Sequence, residues 1–485
     1  MANNTKQIAK LGVFTLAIMN VTAVVSLRGL PAEAEYGLSS AFYYLFAAIV
    51  FLIPTSLVAA ELAAMFKDKQ GGVFRWVGEA FGKKWGFLSI WLQWIESTIW
   101  YPTVLTFGAV AIAFIGMDHV YDMSLASNKV YSLIVVLCIY WLATFISLKG
   151  MGWVAKVAKI GGLVGTIIPA ALLVVLGVVY LLMGGVPQMD FHGSFFPDLS
   201  NMNNLVLASG IFLFYAGMEM SGIHVTDMEN PAKNYPKAIF TGAAITVLIF
   251  VLGTFALGVI IPQKDISLTQ SLLIGFDKYF AFLRASWLSP VIAVALAFGV
   301  LASVLTWVSG PSKGIFAVGK AGYLPPFFQK ANENGVQRNI LLVQGGIVTL
   351  LSLLFVVMPS VQSFYQILSQ LTVLLYLIMY LMMFAAAIKL RYNMKDAERP
   401  YRIGSKGNAL MWIVSGLGFC GSLLAFVLSF IPPAQIATGS NTVWYSVLVI
   451  GCIVMVVIPF IIYANRKESW IDKSASFEPF HWEGK

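Results

Sequence analysis

Twelve stretches of this chain are long and apolar enough to cross a bilayer, near residues 10–30, 38–66, 85–116, 129–148, 156–184, 203–226, 236–262, 285–310, 339–358, 364–390, 408–430 and 442–465. A hydrocarbon core about 30 Å thick needs roughly 20 apolar residues of helix to span it. Runs of that length exceed barrel strands, and backbone groups facing lipid must be satisfied within the segment. The sequence therefore predicts an all-α membrane protein of about 12 transmembrane helices. Composition agrees, with 59% hydrophobic and 11% charged residues against the roughly 25% charged of soluble domains. No soluble stretch is long enough for a catalytic domain, and no phosphate loop or nucleophile elbow appears, so the expectation is not an enzyme and no cofactor. Cys138, Cys420 and Cys452 scatter through apolar runs and the four histidines are dispersed, which offers no metal site.

Basic residues set the orientation, because Lys and Arg are retained on the cytoplasmic side during insertion. With both termini inside, 26 of the 31 basic residues lie in cytoplasmic segments, leaving Arg28, Lys129, Lys264, Lys278 and Arg284 in the outer half. The expected location is the cell membrane, inner or plasma, with both ends cytoplasmic. The net charge of +9 is then topological and does not argue for a nucleic-acid partner. The N-terminal apolar run has a basic flank but lacks a small-residue cleavage site, and is taken as a retained first span.

Polar residues within spans are the best pointers to function, since each is costly unless it faces a cavity or a partner. In chain order they are Arg28, Glu61, Glu96 and Glu219, with His224 and Asp227 following at a helix end. Two spans are interrupted: the first at "TAVVSLRG" and the sixth in "FLFYAGMEMSGIHVTDMENP". Gly and polar residues weaken helix continuity, and the freed backbone groups are then available to coordinate a solute near the midplane. Spans 1 and 6 occupy equivalent places if spans 1–5 and 6–10 form two repeats. Five spans per repeat is an odd number, so the repeats have opposite topology, the inverted plan of secondary transporters. The alternative is that these glycines only permit close helix packing.

Three blocks, "AAELAAMFKDKQGGVFRWVGEAFGKKWGFLSIW", "DMENPAKNYPKAI" and "GPSKGIFAVGKAGYLPPFFQKANENGVQRN", resemble the amino acid–polyamine–organocation transporters. "HVTDMENPAKNYP" and "NENGVQRN" look most like the glutamate:GABA antiporters of bacterial acid resistance. The resemblance implies a five-plus-five inverted repeat of the LeuT-like kind, with residues 10–184 and 203–390 as the repeats and 408–465 as two extra helices. Residues 1–465 then form one transmembrane domain, and 466–485 a cytoplasmic tail. It also implies alternating access around a site between spans 1, 3, 6, 8 and 10. Carried over by position, that site comprises Ala23, Val24, Ser26 and Arg28 of span 1, Glu96 and Trp100 of span 3, Tyr215, Gly217 and Glu219 of span 6, and Ser303 and Trp307 of span 8. Two features depart from the family pattern. A Gly-Ser-Gly-like turn in span 1 is replaced by "AVVSLRG", with Arg28 where the antiporters carry an aromatic. Only 20 residues follow Asn465, so plugging of the pore by the tail is not expected, and "FEPFHWEGK" reads as an interfacial or flexible segment.

A guanidinium makes forked hydrogen bonds to carboxylates, which suits Arg28 to an anionic group of the solute. Its alternatives are internal pairing with Glu33, Glu35 or Glu96, or snorkelling to the surface. Glu219 is a candidate for a substrate amine or a proton, or for bonding free backbone amides. Glu61, near the inner surface, reads as a cap or gate pair with Lys or Arg, and His224 is a candidate pH sensor. The leading expectation is a secondary antiporter that exchanges an amino acid, glutamate first, for its decarboxylation product GABA. Its partners would be small amino acids and amines, membrane lipids, and functionally a cytoplasmic amino acid decarboxylase. The alternatives are a proton-coupled importer, an exchanger for another amino acid such as tyrosine or aspartate, and a sensor that does not transport.

Overall fold

The computed structural model describes residues 12–69, 71–198, 205–219, 228–405, 407–434, 437, 439–475 and 477–483. Among them, nine helices are long and apolar enough to cross a membrane: Gly37–Met65, Lys129–Leu148, Gly152–Leu182, Pro231–Ile260, Ser286–Lys320, Arg338–Val357, Val361–Asn393, Ala409–Leu428 and Asn441–Ala464. These are spans 2, 4, 5 and 7 to 12 of the sequence reading. Span 3 is the 31-residue helix Lys83–Ala113, which carries the polar run Gln93, Glu96, Ser97 and Thr98 at its middle and is almost wholly buried. Interior position explains its polarity: it packs along spans 8 and 10 at the centre of the bundle. No β-strand is found among the described residues beyond one bridge between Ala321 and Ile471.

Span 1 breaks where the sequence reading placed the break. The helix Val13–Val24 ends, Val25 and Ser26 are extended, and a 3₁₀ turn at Leu27–Gly29 leads into a second helix, Leu30–Ala34, opened by Pro31. A proline at the start of a helix costs nothing, because its missing N–H would be unpaired there. Span 6 breaks after Gly210–Tyr215: Ala216 is extended and Gly217 takes φ +102°, a conformation that favours glycine. The two breaks cross closely. A Cβ on Gly29 would lie 2.2 Å from the Phe214 ring, so only glycine permits this approach. His224, Ser221, Gly222 and Asp227 lie outside the described residues.

Spans 2 and 5 each carry one π-helical turn, Ala48–Leu52 and Leu163–Ile167, shortly before Pro54 and Pro169. Such turns absorb the hydrogen bond that a proline removes. Spans 5 and 8 meet at Gly165 and Gly299, where a Cβ on either would come within 2.5 Å of the other's backbone. Small residues let transmembrane backbones approach this closely.

One end of the bundle is basic, carrying the helix Val73–Phe81, Arg391, Arg399, Lys320 and the tail. The opposite end carries the helices His119–Ser127 and Ser271–Phe282. The C-terminal segment corrects the expectation of an interfacial or flexible tail. Asp472 pairs with Lys320 at 3.4 Å, and its N–H donates to the Lys320 carbonyl at 2.9 Å. The segment 477–483 then lies along Val73–Phe81. Arg75, fully buried, donates to the carbonyls of Glu478 (2.5 Å) and Pro479 (3.1 Å) beneath the rings of Phe477 and Phe480. Phe480 sits against Gly78, His481 Nδ1 lies 2.5 Å from Glu79, and Lys83 pairs with Glu483. Aromatic residues looked suited to the bilayer surface, but here they cover a buried cation.

Candidate functional site

Between the two breaks lies a cavity of about 520 Å³, and it extends toward the basic end along spans 5 and 8. Of the residues anticipated from sequence, Val24, Ser26, Arg28, Glu96, Trp100, Gly217, Ser303 and Trp307 line it. Ala23 is the last residue but one of the helix Val13–Val24 and is not among the residues lining the cavity. Tyr215 does not line the cavity; it is buried behind the break, with its hydroxyl donating to the Tyr44 carbonyl at 3.2 Å.

Arg28 sits on the 3₁₀ turn and is almost fully buried. Its Nη1 donates to Thr103 Oγ1 at 3.1 Å. The guanidinium carbon lies 5.4, 5.6 and 5.9 Å from the ring centres of Trp100, Phe214 and Tyr365, within range of cation–π attraction. Nε has no partner. Among the described residues no carboxylate stands within ion-pairing distance, so the alternative of an internal pair with Glu33, Glu35 or Glu96 is not what the geometry shows. Aromatic faces offset part of the cost of burying a cation, and Thr103 and the Tyr365 hydroxyl engage part of its hydrogen-bonding edge, but Nε is left without a partner among the described residues.

Glu96 lines the same cavity from span 3 and accepts from Ser97 Oγ at 2.7 Å. Trp100 and Trp307 approach to 5.8 Å between ring centres, closing one wall. Glu219 is set back. Its carboxylate accepts from Gln93 Nε2 at 3.2 Å, Tyr376 Oη at 2.5 Å and Tyr380 Oη. Tyr380 Oη in turn accepts the Gly217 N–H at 2.9 Å. This network ties the span 6 break to span 10, and the carboxylate reaches the Gly217 amide only through the Tyr380 hydroxyl rather than by the direct bond to free backbone amides that the sequence offered as one alternative. Glu61 lies far from the cavity at the basic end. Arg391 clamps it through Nε (2.6 Å) and Nη2 (2.5 Å), Arg399 pairs at 3.3 Å, and the Ile403 N–H donates at 2.7 Å. The anticipated pairing with arginine is thus present.

The cavity also uses residues that the sequence reading passed over. Thr103 and Tyr365 flank Arg28, and Tyr376 lines the cavity from span 10. Span 5 contributes Lys159, Gly162, Leu163, Thr166 and Ile167. Those five recur at three- and four-residue spacing, which places them on one face of a helix. Lys159, Gly162 and Thr166, polar or small residues on one face of an otherwise apolar span, were the available signal.

The sequence profile of the amino acid permease family matches residues 11–458. An uncharacterised transporter of Legionella pneumophila is 38% identical over 466 residues, covering 96% of this chain and 98% of its own length. A glutamate/gamma-aminobutyrate antiporter of Lactococcus lactis subsp. lactis is 33% identical over 470 residues, covering 95% and 91%. An aspartate/glutamate permease of Lactococcus lactis subsp. cremoris is 24% identical over 435 residues, covering 85% and 86%.

Proposed function

The chain belongs to the amino acid permease family of the amino acid–polyamine–organocation superfamily, and from that premise we propose that it is an antiporter exchanging glutamate for its decarboxylation product GABA by alternating access. The observation that carries this reading is Arg28, a buried guanidinium on the cavity wall with an unpartnered Nε and no counter-ion among the described residues. A buried cation of this kind is stabilised by a solute carboxylate, and a forked arrangement selects for one. Glutamate and GABA each bring a carboxylate and an ammonium. Glu96 stands on the same cavity as the acceptor for the ammonium, and carbonyls ending the helix Val13–Val24 add negative dipole character beside Val24. Similarity to a named glutamate/gamma-aminobutyrate antiporter over most of both chains supports the same pair.

On this reading residues 10–184 and 203–390 are the two inverted repeats, 408–465 stand outside them, and the basic end with both termini faces the cytoplasm. The site comprises Val24, Ser26, Arg28, Glu96, Trp100, Gly217, Ser303 and Trp307, with Ala23 and Glu219 in support. Exchange of an amino acid for its decarboxylated amine would complete a cycle in which a cytoplasmic decarboxylase consumes a proton. The test is uptake of labelled glutamate into proteoliposomes. Internal GABA should accelerate uptake over empty liposomes, and aspartate, tyrosine and glutamine inside should serve less well. Uptake that ignores the internal solute would refute antiport, and acceleration by another solute in place of GABA would refute the pair.

A further inference from the structure

Glu33 lies in the second half of span 1, Leu30–Ala34, and is completely buried. Neither carboxyl oxygen has a hydrogen-bond partner among the described residues. The titratable groups around it are tyrosines: Tyr36, Tyr43 and Tyr44 from the start of span 2, and Tyr215 from span 6. Three of their hydroxyls are engaged elsewhere. Tyr36 accepts from the Ala208 N–H at 3.1 Å, Tyr44 bonds Thr254 at 3.0 Å, and Tyr215 donates to the Tyr44 carbonyl at 3.2 Å. Tyr43 stands nearer the surface beside Asp198.

Glu35, at the end of the same helix, is half-buried and pushed up to about 7 by that burial, so Glu33→Gln must separate the two; among the described residues the elements packed on Leu30–Ala34 bring no charge to Glu33. Arg28, on the preceding turn, is directed to Thr103 and its aromatic ring set. On Ser271–Phe282, Asp277 faces His119 and Lys278 is half-exposed, while Lys233 and Lys237 stand at the far, basic end of span 7. Leu207–Ser209 carries no titratable group. An ionised carboxylate in this position would be unhydrated and unpaired, a state proteins avoid by binding a proton.

Position supplies the rest. Glu33 is on the side of the break away from the basic end, where Ala32 packs with Leu207 and Leu268. The cavity extends the other way, along spans 5 and 8. The packing around Glu33 is therefore the closed side of the pathway. We propose that Glu33 is a proton-binding site of this gate: the gate closes on the neutral acid, and opening it to water lets the proton leave to the same side. This rests on the alternating-access reading above. Because the proton enters and departs on one side, the step makes no net proton transport. It makes closure depend on the pH of that side, since the state that binds more protons gains as pH falls. With one proton, the dependence is at most tenfold per pH unit.

The experiment measures exchange in proteoliposomes of fixed protein orientation, with the pH on the basic side held at 7 and the pH on the Glu33 side varied from 5 to 8. Wild-type exchange should fall at least tenfold across that range, and Glu33→Gln, which mimics the neutral acid, should vary less than about twofold. A flat wild-type profile, or a Glu33→Gln profile that keeps the wild-type fall, overturns the proposal. A second measurement needs neither transport nor that variant. In a protein with Cys138, Cys420 and Cys452 replaced, maleimide labelling of Ala32→Cys is normalised to labelling of Lys264→Cys, which cancels the reactivity of the thiolate. The ratio should rise with pH as the gate opens, and a constant ratio overturns the proposal. A rising ratio in a protein that exchanges no amino acid supports the proton site while removing the transport assignment.

Discussion

Replacing Arg28 tests the site most directly, and the structure sets the size of the effect. Nη1 is already committed to Thr103 at 3.1 Å, which leaves the Nε edge for a solute. A charge-assisted hydrogen bond contributes about 1.5–3 kcal/mol, and about 1.4 kcal/mol is tenfold in affinity. Arg28→Ala should thus weaken glutamate binding by roughly ten- to a hundredfold. Arg28→Lys keeps the charge and loses the fork, so its loss should be smaller. Glutamine, which shares the α-carboxylate and lacks the distal one, locates the contact. If it is weakened less than glutamate, Arg28 meets the side-chain carboxylate; an equal loss places the contact on the α-carboxylate. The assay is calorimetric or scintillation-proximity binding to purified protein in detergent, with monodispersity checked for each variant. Wild-type affinity of Arg28→Ala for every amino acid tested would refute a substrate contact, and would leave Arg28 as a packing residue held by Thr103 and three aromatic rings.

Three further outcomes follow from geometry away from the cavity. Glu61→Gln strips the counter-charge from buried Arg391 and Arg399 and should destabilise the protein by about 3–5 kcal/mol, read as a lower melting temperature with amino acid affinity unchanged; an unaltered melting temperature contradicts the buried clamp. Gly29→Ala places a methyl 2.2 Å from the Phe214 ring, and overpacking of this kind costs about 1–3 kcal/mol. Adding Phe214→Ala should restore part of the loss, and strict additivity of the two changes would argue against the contact. Glu483 titrates below its ordinary range: partial burial disfavours its charge, but hydrogen bonds from Lys83 and the Phe480 amide, with the Lys83 and Arg75 charges, outweigh that. A lowered carboxyl contributes to docking fully above its undocked value of about 4.3 and loses the contribution as pH falls through the docked value. The difference in hydrogen-exchange protection of the Phe480 and His481 amides between wild type and Glu483→Gln should therefore hold from pH 7 to 5 and shrink below about pH 4; a difference that vanishes by pH 6 is incompatible with this.

The spans were legible because hydrophobic length is a direct consequence of bilayer thickness, and the breaks because Gly and polar residues interrupt apolar runs visibly. Arg28 and Glu96 could be singled out as charges that lipid does not tolerate. What was not legible depended on partners distant in sequence. The "YAGMEMS" segment left Glu219 open between a solute or proton and bonds within the protein, because the two tyrosine hydroxyls that occupy its oxygens come from about 160 residues away. Span 5 appeared to be an ordinary apolar run, since the stripe from Lys159 to Ile167 acquires meaning only when span 8 turns it toward the cavity. The tail was misread for the same reason. Aromatic residues beside charges suit a membrane surface equally well, and nothing local to residues 477–483 announces that Arg75 lies beneath them.

That arrangement has a consequence for how the chain matures. Arg75 obtains its two carbonyl partners from residues 403 and 404 positions further along. At a synthesis rate of about 5–20 residues per second, roughly 20–80 s separate the two. Through that interval the helix Val73–Phe81 stands with its guanidinium sharing only Glu79 and with the seat for Phe480 at Gly78 empty. The basic end is thus finished by the chain's late residues, long after the spans on either side of that helix have been inserted. A ribosome that stalls before residue 478, or a fusion that holds the tail away, produces a bundle with every membrane span in place and a bare apolar groove beside an uncovered arginine, the kind of surface by which chaperones and proteases tell unfinished proteins from finished ones.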